Sequence, residues 1–103
     1  MIPSQFANVR VLDDNKGLDQ IFTTLSHYTV GSKRSDNEFC LIHYNVSLKP
    51  DHVEAHLATP ITIYKRRIIV ESGNSELDIV LDNHDVFVKI NQKELCIQFL
   101  PRR

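Results

Sequence analysis

The chain has few cysteines and few glycines: 103 residues contain two of the former and three of the latter. Two cysteines are too few for a secreted scaffold built on several disulfides, so we expect Cys40 and Cys96 to be buried thiols in strands. The three glycines are too scattered to form a loop that cradles phosphate groups. These shortages exclude a disulfide-rich framework and a glycine-rich nucleotide site.

The chain also lacks a long hydrophobic run and an excess of one charge. No apolar stretch approaches the roughly 20 residues that span a bilayer, and the first residues do not form a basic segment followed by a hydrophobic one. Twelve basic and thirteen acidic residues give a formal net charge of -1, so the whole molecule has no field that attracts nucleic acid or anionic membrane. We expect a cytoplasmic protein without a membrane segment.

Size and composition favour one folded domain. A hydrophobic fraction of 42% and a charged fraction of 24% are ordinary for a globular protein. The length fits one domain, because a typical domain has about 100 to 150 residues. We therefore predict a single domain that spans residues 1–103.

One helix is predicted near the N-terminus. From Gly17 to Tyr28 the apolar residues recur at offsets of three and four, which places them on one stripe of an amphipathic helix: Leu18, Ile21, Phe22, Leu25 and Tyr28. Gly31 is expected to end this helix in a left-handed conformation, and residues 31–37 are expected to form a loop. Before the helix, residues 6–12 alternate imperfectly and predict a short strand or an unpaired arm.

The middle of the chain is rich in strand patterns. Apolar residues of one parity predict a half-buried strand over residues 38–48. Residues 52–58 fit either a short helix or a strand, and we prefer the strand. Residues 61–70 are also β-rich, but the charges at 65–67 interrupt the alternation and predict a bulge or a sheet edge there.

The clearest pattern is a three-stranded antiparallel meander over residues 75–100. Its three runs alternate so that one set of apolar residues faces inward: Leu77, Ile79, Leu81, Val86, Val88, Ile90, Leu95, Ile97 and Phe99. The first turn is predicted at residues 83–84. The second lies at 91–92 or at 92–93, and we prefer the former because it sets Lys89 opposite Glu94.

Together these elements predict an α+β fold. A helix and antiparallel strands bury their apolar faces most simply by packing on each other. We predict one N-terminal amphipathic helix packed on a mainly antiparallel sheet of about five to six strands, which ends in the C-terminal meander.

The tightest group of metal-ligating or acid–base side chains is His52, Glu54 and His56. On a strand the three project from one face, and on a helix the two histidines lie at i, i+4. Their order is not the His-Glu-x-x-His motif of metallopeptidases, so a solvated polar face is favoured over a metal site. We expect no metal and no cofactor. His84, in the first turn of the meander, is expected to be exposed.

Two surface clusters are candidate partner sites. On the outward face of the meander, Val80 and Phe87 would be cross-strand neighbours with Cys96 beside them, and a contiguous apolar patch on a polar face is typical of an interface. The other cluster combines an aromatic residue with cations: Tyr64, Lys65, Arg66 and Arg67. It favours a protected sheet edge or an acidic protein partner over single-stranded nucleic acid.

Because the sequence contains no catalytic constellation, the leading hypothesis is a non-enzymatic protein-interaction factor that acts through a sheet face or edge. A small bacterial or phage-encoded immunity-type factor is an example of this class. We expect it to bind a protein partner or to form a homodimer. One alternative is a metal- or ligand-binding protein or an enzyme, with a pocket between helix and sheet that uses His43, Tyr44 or the histidine group. Another is a nucleic-acid-binding protein that uses the basic cluster.

Overall fold

The structure, a computed structural model, describes residues 8–102. Within this range the chain forms one α-helix and ten strands, with these bounds: β1 Asn8–Asp13, α1 Leu18–Tyr28, β2 Ser32–Ser35, β3 Glu38–Ile42, β4 Val46–Leu48, β5 His52–Ala55, β6 Ile61–Tyr64, β7 Arg67–Ser72, β8 Ser75–Val80, β9 His84–Ile90 and β10 Glu94–Pro101. The α+β prediction is confirmed. The predicted single sheet is wrong, because the strands form two sheets.

The two sheets differ in size and order. A six-stranded sheet has the order β1-β8-β7-β6-β5-β4, and a four-stranded sheet has the order β2-β3-β10-β9. Every neighbouring pair is antiparallel except β1, which runs parallel to β8. A parallel pair needs a long connection, and here the connection includes α1 and the first half of the four-stranded sheet.

Both sheets and the helix contribute to one core. Phe22 on α1 packs against Phe39 and Phe99 of the four-stranded sheet, with ring centroids 5.8 and 5.3 Å apart. The other buried side chains of the core come from all three units: Ile21, Leu25, Leu41, Ala55, Ile61, Ile63, Ile68, Val70, Leu77, Ile79, Leu81, Val86, Leu95 and Ile97. The predicted helical stripe is therefore the face that packs on the sheets.

Helix α1 has defined ends. α1 begins at Leu18, after Gly17, without a side-chain cap. Asp13 instead caps the preceding 3-10 turn, residues 14–16, where its carboxylate accepts a hydrogen bond from the Asn15 N–H at 2.9 Å. At the other end the N–H and the hydroxyl of Thr29 both donate to the Leu25 carbonyl, at 2.9 and 2.7 Å. These contacts satisfy backbone groups that a helix end leaves without partners. No helix in residues 8–102 combines the length and the apolar character needed to cross a bilayer.

Gly31 has a different role from the predicted one. Its φ is not positive, so it does not end the helix in a left-handed conformation. A Cβ at this position would lie 2.5 Å from Leu41 Cδ2 and 2.7 Å from the Cys40 carbonyl oxygen. Glycine is needed because the chain passes directly against β3 on its way into β2.

Several strand predictions are right in type and wrong in extent. Residues 38–48 form β3 and β4 in different sheets, because the chain leaves the four-stranded sheet after Ile42. The preference for a strand at 52–58 is confirmed by β5. The predicted strand at 6–12 is confirmed from Asn8 onward, and Phe6 and Ala7 lie outside the described residues.

Two other segments correct the sequence reading. Residues 31–37, predicted as a loop, contain β2, which pairs with β3 across an irregular register. The interruption at 65–67 is neither a bulge nor a sheet edge. Lys65 and Arg66 form the exposed hairpin turn between β6 and β7, where Ile63 lies opposite Ile68, and Arg67 is the first residue of β7.

The predicted meander is divided between the sheets. β8 belongs to the six-stranded sheet, and β9 and β10 form a hairpin in the four-stranded sheet. Val80 therefore does not face Phe87. It lies opposite Arg67 on β7 and Asp13 on β1. The prediction is confirmed for the second hairpin alone.

The second hairpin has the register that we did not prefer. Ile90 lies opposite Leu95, and Lys89 lies opposite Cys96, which corresponds to the turn at 92–93. The Lys89 ammonium is 3.4 Å from Glu38 Oε2 and does not pair with Glu94. Ile90, predicted to face inward, is 41% exposed, because it ends an edge strand.

The two cysteines do not remain free thiols. Cys40 on β3 lies directly opposite Cys96 on β10, and the two form a disulfide. This corrects the expectation of two buried thiols. Residues 56 positions apart in the sequence are brought together because β3 and β10 are the two central strands of the sheet.

Asp14 lies at the junction of the sheets. Its side chain is fully buried, and its carboxylate accepts hydrogen bonds from the backbone N–H groups of Asp82 and Asn83 at 2.9 and 3.1 Å. It also accepts one from His84 Nδ1 at 2.8 Å. His84 is therefore half-buried and bonded, which corrects its predicted exposure. These bonds connect the chain before α1 to the turn between β8 and β9.

We predict that Asp14→Ala destabilises the fold by about 3 to 5 kcal/mol, because it leaves the His84 ring and two N–H groups without their buried acceptor. Denaturant unfolding followed by circular dichroism measures this loss. Asp36→Ala is the matched control, since that side chain is fully exposed, and its effect should stay within about 0.5 kcal/mol. Equal losses in the two variants would contradict the role assigned to Asp14.

We also predict that Gly31→Ala destabilises the fold by about 1 to 3 kcal/mol, because the new methyl group overlaps β3. The same unfolding measurement applies. Ser26→Ala, on the exposed side of α1, is the control and should change stability by less than about 0.5 kcal/mol. A Gly31→Ala variant as stable as the parent would show that this contact is not tight.

Candidate functional site

The outer edge of β9 is the first feature of the candidate site. β9 ends the order of the four-stranded sheet, and the Val86 N–H points away from β10 and donates to the Lys65 carbonyl at 2.8 Å. Backbone groups alternate in direction along a strand, so the N–H and C=O groups of Val88 also point outward. Among residues 8–102, no hydrogen bond joins the Val88 N–H to another strand on that side.

A groove of about 430 Å³ runs along this edge. We call it the edge groove, and its walls come from three segments: Lys49–Val53, Ile63–Lys65 and Val86–Val88. The β6–β7 turn is bonded to the start of β9 through the Val86 N–H and the Lys65 carbonyl, and the groove lies beside this bond. Phe87, 48% exposed, adds an aromatic surface at its rim.

His52 lies in the edge groove between two carboxylates. Its Nδ1 is 2.8 Å from Asp51 Oδ1, and its Nε2 is 2.8 Å from Glu54 Oε2. A carboxylate only accepts hydrogen bonds, so both ring N–H groups donate, and the Tyr64 ring lies alongside with its centroid 5.1 Å away. This geometry favours the imidazolium form.

The acid–base properties of these residues follow from the same bonds. The hydrogen bond that His52 donates to Glu54, together with the one that it donates to Asp51, raises the pKa of His52 above its ordinary value of 6.5. In return, the hydrogen bond from His52 lowers the pKa of Glu54 and the pKa of Asp51. His52 therefore carries a positive charge over a wider pH range than an isolated histidine.

The lining of the edge groove carries an excess of positive charge. Lys49 and Lys65 contribute two cations, while the charge of the protonated His52 is offset by the carboxylates of Asp51 and Glu54 to which its ring donates. Lys65 makes no ion pair with any charged side chain in residues 8–102. Its charge is therefore available to a ligand.

The remaining cations of the basic cluster are already paired. Arg66 Nε is 3.5 Å from Asp85 Oδ1, and Arg67 Nε is 3.1 Å from Asp78 Oδ1. Both arginines line a second hollow of about 330 Å³ with Tyr64 and Val80. Tyr64 thus lies between this hollow and the edge groove. The paired charges make the cluster a poor electrostatic surface for phosphates.

The structure groups the predicted partner residues differently from the sequence. Tyr64, Lys65 and Phe87 line the edge groove, and Val80 joins the arginines in the adjacent hollow. Cys96 is not with them, because it lies in the centre of the four-stranded sheet, bonded to Cys40.

Sequence reasoning missed the other wall of the edge groove. The sequence pattern places Val88 on the inner face of a meander, and it gives no functional role to Lys49. The Asp51-His52 pair was the available signal for a charged cluster at this point. No local pattern shows that β9 is an edge strand, because that depends on the order of strands in the folded sheet.

The second histidine of the group, His56, has its own polar contacts beside Glu54. His56 Nε2 is 3.2 Å from Ser47 Oγ and 3.6 Å from Glu54 Oε1. A serine–histidine–carboxylate triad uses the two ring nitrogens for its two partners, whereas here both contacts involve Nε2. The arrangement therefore lacks the relay that activates a serine nucleophile.

The ligand atoms of the histidine group are not gathered around one point. Both nitrogens of His52 are already bonded to carboxylates. In residues 8–102, one set of three metal-ligating side chains has all its ligand atoms within 4.8 Å of one another, and it consists of Glu38, Cys40 and Cys96. The predicted candidates His52, Glu54 and His56 are not part of it.

Comparison of the chain with protein-family models, with curated proteins and with solved structures finds no match in any of the three.

We predict that the charge of His52 stabilises the fold at low pH. Its pKa is raised in the folded chain, so the stabilisation is fully present below the unfolded pKa of about 6.5 and is lost as the pH rises through the folded pKa. An NMR titration of the ring resonances should show His52 titrating above that value.

Glu54→Gln is the variant that tests this cause, because it removes the carboxylate that contributes most to the shift. We expect the pKa of His52 to fall in this variant. Glu76→Gln, on the distant strand β8, is the control and should leave it unchanged. The same His52 titration in all three proteins would contradict the assignment.

Proposed function

We propose that the chain is a non-enzymatic protein-binding domain that pairs the outer edge of β9 with an extended, acidic segment of a partner. The observation that carries this proposal is the combination of open backbone groups at Val88 with the basic lining of the edge groove. Binding by strand addition uses main-chain hydrogen bonds for affinity and neighbouring side-chain pockets for specificity.

The backbone of β9 supplies the first part of recognition. The N–H and C=O groups of Val88 and Ile90 point outward in the same direction as those of Val86, and the strand β10 supports them from the other side. An edge of this kind readily pairs with another chain. A partner strand would continue the four-stranded sheet beyond β9.

The side chains of the edge groove supply the second part. Successive residues of an added strand point to opposite faces, so alternate residues of the partner would enter the edge groove. There they meet the ammonium groups of Lys49 and Lys65. Acidic side chains at alternate positions are therefore the complementary sequence, with Phe87 available to an apolar neighbour.

Charge also favours an acidic partner strand over a second copy of the chain at this edge. If two β9 edges paired about a two-fold axis, equivalent surfaces would meet each other. The basic lining of one copy would then face the same basic lining of the other, which is unfavourable for like charges across strands. A homodimer through this edge is the less favoured alternative, and an immunity-type factor with an acidic target is a natural form of the proposal.

A peptide that alternates glutamate and valine is a direct probe. We expect it to bind the full chain at low salt and to shift the amide resonances of Val88, Ile90 and Lys65 in a proton–nitrogen NMR spectrum. A peptide that alternates lysine and valine is the charge control and should bind more weakly. Equal shifts with both peptides, or shifts confined to another surface, would contradict the proposal.

Charge reversal at Lys65 tests the electrostatic part. Lys65→Glu should weaken binding of the acidic peptide about tenfold, because it exchanges an attraction for a repulsion of about 0.7 kcal/mol each. Lys93→Glu, in the exposed turn between β9 and β10, is the control and should have little effect. Size-exclusion chromatography in parallel would show whether self-association occupies the edge instead.

A further inference from the structure

A second chemically distinct cluster lies on the outward face of the four-stranded sheet. The ligand atoms of Glu38, Cys40 and Cys96 all lie within 4.8 Å of one another. The Glu38 side chain is 17% exposed and Cys40 is 3% exposed. A carboxylate and two sulfurs are thus gathered in a largely buried place that is separate from the edge groove.

The register of the sheet explains why the three side chains meet. Cys40 and Cys96 are directly opposite each other, with Cα atoms 4.0 Å apart. Glu38 is two residues from Cys40 on the same strand, so both side chains point to the same face. Because β3 and β10 are each paired on both sides, the three positions are fixed by backbone hydrogen bonds.

The charge around the cluster is balanced by one cation. Lys89 lies opposite Cys96 on β9, and its ammonium is 3.4 Å from Glu38 Oε2. In the disulfide state this pair is neutral. Two thiolates, the carboxylate and a divalent cation together carry one negative charge, which the same lysine also neutralises.

We propose that, when the disulfide is reduced, Cys40, Cys96 and Glu38 bind a thiolate-preferring divalent cation of the zinc class. A dithiol reductant supplies two electrons and two protons, the S–S bond breaks, two thiols form, and the reductant becomes a disulfide. Binding of the cation then releases the two thiol protons. Two sulfurs and one carboxylate oxygen are ligands that zinc accepts, and water completes the tetrahedron.

The proposal gives the two central strands alternative cross-links. In the oxidised chain the disulfide joins β3 to β10, and in the reduced chain the cation joins the same two residues. Soft thiolate ligands select zinc-class ions over magnesium or calcium. This site does not depend on the function proposed for the edge groove.

Cobalt(II) is the probe that tests the site, because thiolate ligation and tetrahedral geometry both give visible absorption. The full chain is reduced with a phosphine under argon and titrated with cobalt chloride. We expect one ion per chain, a thiolate-to-cobalt band and about two protons released per ion near neutral pH. The oxidised chain should show none of these signals.

Variants distinguish cobalt binding at this site from nonspecific cobalt binding by single thiols. Cys40→Ser and Cys96→Ser should each remove the tetrahedral spectrum, and Glu38→Gln should weaken cobalt binding at least about tenfold. Glu94→Gln is the matched control, because Glu94 lies on the same face of β10 and is paired with Arg34. It should bind cobalt as the parent does.

Three results would overturn the proposal. They are a reduced chain without a thiolate-to-cobalt band, equal binding by the oxidised chain, and unchanged affinity in Glu38→Gln. Circular dichroism recorded in parallel shows whether the reduced chain unfolds. Refolding on addition of cobalt would then support the site, and binding without refolding would contradict it.

Discussion

Where the chain passes from β8 into β9, the buried carboxylate of Asp14 accepts hydrogen bonds from the Asp82 and Asn83 N–H groups and from the His84 ring. A buried carboxylate is costly unless it is fully bonded, and this one is satisfied by a segment about 70 residues away in the sequence. The Asn83 carbonyl in turn accepts from the Arg102 N–H at 2.7 Å. This junction joins the segment before α1, the connection between β8 and β9 where the chain passes from one sheet to the other, and the end of β10.

The edge groove is a consequence of that junction. Because the turn after β8 is bonded to Asp14, the start of β9 lies against the β6–β7 turn, where Leu81 and Val86 donate to the Arg66 and Lys65 carbonyls. The rest of β9 then has an open side. The basic side chains that line this side, Lys49 and Lys65, lie in the connections between strands of the other sheet, so the candidate site belongs to the contact between the sheets.

Local patterns were sufficient for part of the fold. The apolar stripe of α1 and the alternation of β8, β9 and β10 appear in the sequence because each reports one buried face. Membership of a sheet is not local: Leu77 and Leu95 have the same pattern but lie in different sheets. The turn at Lys65 was read as a break in a strand for the same reason. The Cys40–Cys96 bond could not be read either, since it depends on β3 and β10 being neighbours.

The candidate site was predictable to a similar degree. Tyr64, Lys65 and Phe87 were selected as exposed aromatic or basic residues, and the structure brings them to one groove. Their partner Lys49 carried no signal, because its place depends on the order of strands. The open edge of β9 is the central claim, and residue-by-residue amide hydrogen exchange of the free chain tests it most directly. We expect the Val88 N–H to exchange much faster than the Val86 N–H, which is bonded to the Lys65 carbonyl. Equal protection of the two amides would contradict it.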